Sequence, residues 1–209
     1  MTRHYNERKL AGGRLRLGLL DDIDEILIPE EALRSRVREL GRLISRDYEG
    51  KEPLLVGILT GAFLFMSDLL RAITIHCQAD FMATSSYADG TTSSGIVRIL
   101  KDLDQSIEGR HVIVVDDIID TGLTMDYLLE TLKTRYPASL RVCALLDKVP
   151  RRLRYVPLDY RGFEIPDKFV VGYGLDFAGR YRNVPFICVL KPEIYAPTGE
   201  SDAVSAAAR

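Results

Sequence analysis

The segment "VIVVDDIIDTGLT", residues 112–124, constrains the fold more than any other stretch of the chain. Val112 to Val115 are β-branched and apolar without alternation, the pattern of a strand buried on both faces. The run ends on adjacent carboxylates, Asp116 and Asp117, with Asp120 close behind. Neighbouring anions at an apolar edge repel one another and lose hydration, so they call for a compensating ligand. Doubly buried strands belong to parallel sheets covered by helices, where ligands bind outside the carboxyl ends of the strands. Asp116 and Asp117 stand at such an end.

The rest of the chain agrees with that frame. "PEEALRSRVRELGRLISRDYEG" places Leu33, Val37, Leu40, Ile44 and Tyr48 at helical spacing, with Pro29 and two Glu suited to its start and Gly50 to its end. "PLLVGIL" (53–59) predicts a buried strand and "AFLFMSDLLRAI" (62–73) the helix after it. "LTMDYLLETLKTRY" predicts a helix that stops before Pro137, and "LRVCALLDK" (140–148) another buried strand. Strands alternating with helices imply an α/β protein with a doubly wound parallel sheet. Residues 150–167 read as irregular, "DKFVVGYGL" (167–175) as a strand and "VPFICVL" (184–190) as the last one. "ADFMATSSY" and "SGIVRIL" flank "ADGTTSSG" (88–95), which predicts a mobile loop rather than a tight hairpin.

Composition narrows the class. With 209 residues and 46% apolar content the chain can bury a core of its own. Its 28 Lys plus Arg against 30 Asp plus Glu leave a net charge of -2, which disfavours a general binder of nucleic-acid backbones. Cys77, Cys143 and Cys188 are odd in number and set among apolar neighbours, as expected of buried free thiols in a reducing, cytoplasmic setting. The longest apolar stretch, Pro53 to Met66, is broken by Gly and Thr and is shorter than the ~20 residues of a membrane span. Residues 1–25 read as a loose N-terminal extension without an apolar signal-type core, and 195–209 as a disordered tail.

What could the acids hold? "DTGLT" (120–124) supplies hydroxyls and backbone N–H groups at the entry to a helix, a setting that surrounds a phosphate. The helix dipole contributes only about 0.3–1 kcal/mol. Charge-assisted hydrogen bonds, at about 1.5–3 kcal/mol each, must dominate. A loop that attracts an anion beside carboxylates that repel one suits a ligand carrying a phosphate together with a sugar diol or Mg²⁺. Two nucleotide-binding alternatives fit poorly. A Walker-type ATPase needs GxxxxGK[ST], but Gly50-Lys51 is followed by Glu52. A dinucleotide fold needs GxGxxG, but "GYGLDFAG" (172–179) places its third Gly too late.

These residues resemble the purine phosphoribosyltransferases of the hypoxanthine-guanine type. "VIVVDDIIDTGLT" is similar to the signature for phosphoribosyl diphosphate, and the likeness extends from about residue 26 to 194 through "GILTGAFLFMSDLLRAI", "DFMATSSY", "LLDKVPRR" and "FEIPDKFVVGYGLDFAGRYRNVPFICVL". The resemblance implies a type I phosphoribosyltransferase fold over 26–194, a parallel sheet flanked by helices, with a small hood built from the N-terminal part and roughly 160–194. It implies Mg²⁺-dependent transfer of 5-phosphoribosyl to N9 of hypoxanthine or guanine, releasing pyrophosphate. By position it makes Asp120 the group that takes the N7 proton. Asp116 and Asp117 would bind the ribose hydroxyls and a metal, and Thr121, Gly122, Leu123 and Thr124 the 5-phosphate. Lys148 would donate to the purine 6-oxo group, Phe169 stack on the base, Val170 meet its edge, and Lys168 border the pocket. Asp176 would be a second metal ligand and base contact; Thr60, Gly61 and Arg182 would hold pyrophosphate, although Lys often stands in the family where Thr60 does here. Ser86 and Tyr87 match a closing lid. The resemblance also implies a homo-oligomer, dimer or tetramer, with no nucleic-acid or membrane partner.

Two rivals use the same fold. A xanthine-preferring transferase shares the machinery, while a non-enzymatic RNA-binding regulator calls for a basic face and usually another residue in place of Asp120. This chain is slightly acidic and keeps Asp120.

Overall fold

The computed structural model describes residues 17–89 and 92–195, with side chains throughout except at 17 and 86–96. A short helix α1 (Leu17–Asp21) leads into β1 (Ile23–Ile28). Then follow α2 (Glu30–Asp47), β2 (Leu54–Leu59), α3 (Phe63–Ala72), β3 (Gln78–Asp89), β4 (Thr92–Lys101), β5 (His111–Ile119) and α4 (Leu123–Lys133). The chain continues through β6 (Ser139–Asp147), a 3₁₀ turn (Val149–Arg151), β7 (Leu158–Glu164), β8 (Val170–Val171), β9 (Ile187–Leu190) and α5 (Pro192–Tyr195).

Two sheets result. The larger has six strands in the order β4-β3-β2-β5-β6-β7, parallel except for β4, which runs antiparallel to β3. The expected parallel sheet is therefore mixed at one edge. The smaller sheet, β1-β9-β8, is antiparallel and joins the two ends of the chain into the expected hood.

The reading of β5 as doubly buried holds residue by residue. Ile113 and Val115 pack with Leu33, Leu40 and Ile44 of α2 and with Phe65 and Leu69 of α3. Val112 and Val114 point the other way, onto Met125, Leu128 and Leu132 of α4. Each such side chain contributes about 1.5–3 kcal/mol on burial. α2 presses against the end of α3 at Gly41, where an added Cβ would lie 2.6 Å from Ala72 backbone atoms, so a larger residue would part the helices.

Four expectations are corrected. The mobile loop at 88–95 is mostly strand: Ala88 pairs with Ser93 and Asp89 with Thr92, leaving only 90 and 91 outside the described residues. Residues 150–167 contain β7, an edge strand whose solvent-facing positions are polar, which hid its pattern. The strand expected over 167–175 is confined to Val170–Val171, because Gly172, Tyr173 and Gly174 take positive φ (100°, 48° and 105°) and curl the chain away. The boundary drawn at residue 25 falls inside β1, and α1 precedes it, so ordered structure begins within the segment read as loose. The tail from 196 onward lies outside the described residues, and α5 occupies 192–195.

Candidate active site

The strand order fixes the location. From β2 the chain moves to β3 on one side, and from β5 to β6 and β7 on the other, so the order reverses between β2 and β5. Crevices at such a reversal, beyond the carboxyl ends of the strands, are where open α/β sheets bind ligands. β5 pairs with β2 only as far as Val115↔Gly57, yet stays with β6 through Ile119↔Asp147. The two strands therefore diverge at the residue before the acids.

Asp116 is 8% exposed. Its Oδ1 accepts the Asp117 N–H at 3.0 Å, and Asp117 Oδ1 accepts the Ile118 N–H at 2.9 Å. Burial pushes the Asp116 carboxyl well above the usual range, and the charge of Asp117 adds to the effect. Burial raises Asp117 as well, against the opposing influence of its hydrogen bonds and of Arg182. These acids are under-compensated without a ligand.

The floor of the crevice is bare backbone. A Cβ on Gly61 would lie 1.7 Å from Asp117 Oδ2, and one on Gly174 would lie 2.2 Å from the Gly61 carbonyl oxygen. Arg182 ties the hood to this floor, donating to the Gly174 carbonyl at 2.7 Å and pairing with Asp176 Oδ1 at 2.6 Å. Thr60 is exposed at the start of the same turn.

Behind the acids, Asp120 to Thr124 form the turn into α4. Gly122 sits at φ 83°, and its missing Cβ would lie 2.6 Å from the Arg154 carbonyl oxygen, so both conformation and space demand glycine. Gly122 at the N-cap has no side chain to cap α4, which leaves first-turn N–H groups beyond Leu123 for an anion. Thr121 Oγ1 accepts the Leu123 N–H at 3.4 Å, and Thr124 lies in the first turn. Asp120 Oδ1 is buried without a hydrogen-bond partner; Arg151 Nε approaches it only to 3.5 Å.

The expected purine residues gather beside this turn. Lys148 is buried, its N–H donating to the Ile119 carbonyl at 2.9 Å and its Nζ lying 3.6 Å from Asp167 Oδ1. Phe169 is 45% exposed, edge-on to Phe177 at 5.8 Å and tilted against Tyr195, while Val170 is buried in β8. Lys168 pairs with Glu25 of β1 at the surface. Ser86 and Tyr87 belong to β3, and their side chains lie outside the described ones.

The metal expectation divides. Asp116 and Asp117 suit Mg²⁺, being adjacent, one buried and the other half-buried, with burial raising both carboxyls. Asp176 is otherwise engaged, Oδ2 by the Gly179 N–H at 2.8 Å and Oδ1 by Arg182. Among the described residues no three His, Cys, Asp or Glu side chains form a ready-made metal cluster.

The family model of the phosphoribosyl transferase domain matches residues 24–178. The chain belongs to the phosphoribosyltransferase family. Among its relatives is the hypoxanthine-guanine phosphoribosyltransferase of Bacillus subtilis, 49% identical over 83% of this chain and 97% of that protein. The bifunctional protein TilS/HprT of Listeria monocytogenes is 51% identical over 84% of this chain, which spans only 27% of that longer protein. A crystal structure of a hypoxanthine phosphoribosyltransferase from Staphylococcus aureus superposes with a TM-score of 0.84 at 45% identity, covering 87% of this chain and 99% of that one.

Several members of this phosphoribosyltransferase site escaped the sequence reading. Arg151, Arg152, Asp147 and Asp167 surround Asp120 and Lys148. "LLDKVPRR" carried Asp147, Arg151 and Arg152 in plain view, and "FEIPDKFVV" Asp167, but only tertiary contact shows what they touch. All three cysteines are free, as expected, with Cys143 and Cys188 buried. No helix among the described residues is long and apolar enough to cross a membrane.

Proposed function

We propose that the chain transfers 5-phosphoribosyl from phosphoribosyl diphosphate to N9 of hypoxanthine or guanine, giving IMP or GMP and pyrophosphate. One observation carries the reading: under-compensated acids and an uncapped helix entry meet at the sheet's reversal point, with a buried lysine alongside. That combination fits a phosphorylated pentose joined to a purine.

In this reading Asp116 and Asp117 accept hydrogens from the ribose hydroxyls, and residues 121–124 hold the 5-phosphate through N–H groups and the hydroxyls of Thr121 and Thr124. Lys148 donates to the 6-oxo group, which favours hypoxanthine and guanine over adenine, whose amino group would meet another donor. Phe169 offers its exposed ring to the base, Val170 its backbone groups, and Lys168 closes the rim. The half-exposed Asp120 carboxylate takes the N7 proton as N9 attacks C1 and pyrophosphate leaves. Thr60, Gly61 and Arg182 would hold pyrophosphate, and Ser86 and Tyr87 would close over the reacting centre and exclude water. Asp116 and Asp117 would hold Mg²⁺, which when bound neutralises diphosphate charge; Asp176, paired with Arg182, would be a ligand of a second metal. The reaction belongs in the cytoplasm, where free thiols persist, and the working form is a homo-oligomer, dimer or tetramer.

The test is a set of initial rates with phosphoribosyl diphosphate, Mg²⁺ and each of adenine, guanine, hypoxanthine and xanthine. Turnover of hypoxanthine and guanine is expected. Turnover of xanthine alone would move the assignment to the xanthine branch, and turnover of none would remove it.

A further inference from the structure

The guanidinium of Arg152 is placed where it touches three parts of the site at once. Its Nε donates to the Asp120 carbonyl at 3.1 Å, and one terminal nitrogen donates to the Ile119 carbonyl at 3.2 Å. The same nitrogen pairs with Asp147 Oδ1. Asp147 is buried at the end of β6, immediately before Lys148, and its other oxygen faces Arg161 at 3.1 Å. The Ile119 carbonyl is shared, because it also accepts the Lys148 N–H at 2.9 Å.

The following residues extend the clasp. Leu153 and Arg154 both donate their N–H to the Thr121 carbonyl, at 2.9 and 3.0 Å, and the Arg154 carbonyl fills the space beneath Gly122. Consecutive carbonyls 119, 120 and 121 are thus all held from one short segment, 152–154. These carbonyls belong to the peptides that flank the Asp120 side chain and carry the N–H groups of residues 120–122. None of the donors points into the crevice, so the segment acts through the residues it holds.

We propose that Arg152, anchored by Asp147, is the positioning residue that registers the phosphate turn and Asp120 against the base-reading Lys148. This rests on the transferase reading above. A guanidinium suits the task because it forks between two carbonyls and a carboxylate, which an ammonium cannot reach in one plane. Loss of the fork lets the turn shift while the strands stay in place. A misplacement of ~1 Å near reacting atoms lowers rate by roughly 10²-fold.

The experiment compares wild type, R152K, R152Q and D147N by steady-state kinetics, with melting temperatures measured alongside and assays run well below them. R152Q is expected to lower kcat by roughly 10²-fold and to raise KM for phosphoribosyl diphosphate about tenfold or more, with KM for the base changed less than about threefold. R152K should recover part of kcat, since it restores charge and one contact. D147N should follow R152Q, and the R152Q/D147N double variant should lose less than the two singles combined. Wild-type kcat and KM in a folded R152Q would overturn the proposal. If R152Q does not fold, R152K and D147N decide it: full activity in both overturns it. A uniform rise in both KM values that tracks melting temperature would also overturn it, since that marks a purely structural role. If wild type itself turns over no base, the transferase reading fails first, and the two failures are told apart.

Discussion

The two edges of the six-stranded sheet treat charge in opposite ways. At the amino edge, Asp47 accepts from Tyr160 at 3.0 Å, Arg141 donates to Tyr160 at 2.9 Å, and His111 shares a 2.8 Å contact with Ser139. Burial works against ionisation of Asp47, but hydrogen bonds from Arg46 and Tyr160 outweigh it and hold the carboxyl below the usual range. At the carboxyl edge, Asp116 and Asp117 are pushed above that range, and Asp120 keeps an oxygen that accepts no hydrogen bond. The first edge satisfies itself and serves stability. The second is left incomplete, and its completion is what a ligand supplies.

The largest expected break in this contrast is Asp120→Asn. Its kcat should fall by roughly 10²–10⁴-fold with little change in melting temperature, since the lost group stabilises only the reaction. Steady-state rates and calorimetry check both halves. Next comes Gly61→Ala, whose methyl would collide with the Asp117 carboxylate; kcat/KM for phosphoribosyl diphosphate should fall by about 10²-fold. Asp47→Ala attacks the other edge. It leaves Tyr160 and Arg141 short of a partner and should destabilise by about 1–3 kcal/mol in urea titration while kcat stays at the wild-type value.

The smallest effect sharpens the contrast by reversing its sign. Because Asp116 and Asp117 bind protons more tightly folded than unfolded, they lower the stability of the folded chain as pH rises from the ordinary carboxylate range through their raised values. Asp117→Asn in EDTA should therefore melt a few degrees higher than wild type at pH 8, and the gain should fade as pH drops below about 4, where the Asp117 carboxyl becomes protonated in the unfolded state as well. A lower melting temperature at pH 8 would show that the acids are compensated after all.

The carboxyl edge was largely legible in the sequence, because "VIVVDDIIDTGLT" encodes strand, acids and helix entry within one local run. Burial on both faces followed from four β-branched residues, and the helix after Gly122 from its apolar spacing. The hood was less legible. β8 is two residues long and followed by a positive-φ turn, so its strand character comes from pairing with β9 rather than from its own pattern. β7 alternates polar and apolar only loosely, and Gly162 sits there because the Leu145 carbonyl would lie 2.1 Å from any Cβ. The hairpin between β3 and β4 was missed because serines and threonines mask its alternation, although Asp89-Gly90 is a strong turn signal. Arg152 was invisible as a site residue, because two carbonyls more than thirty positions away define its role.

The pairing of β1 with β9 has a temporal consequence. Ile23–Ile28 is made more than 150 residues before Ile187–Leu190, yet each is the other's neighbour. During synthesis the central strands can assemble while the roof over the base is still half written. A ribosome-bound chain arrested before residue 187 should therefore carry its acids under an open sky, and catalytic competence should arrive only with the closing strand.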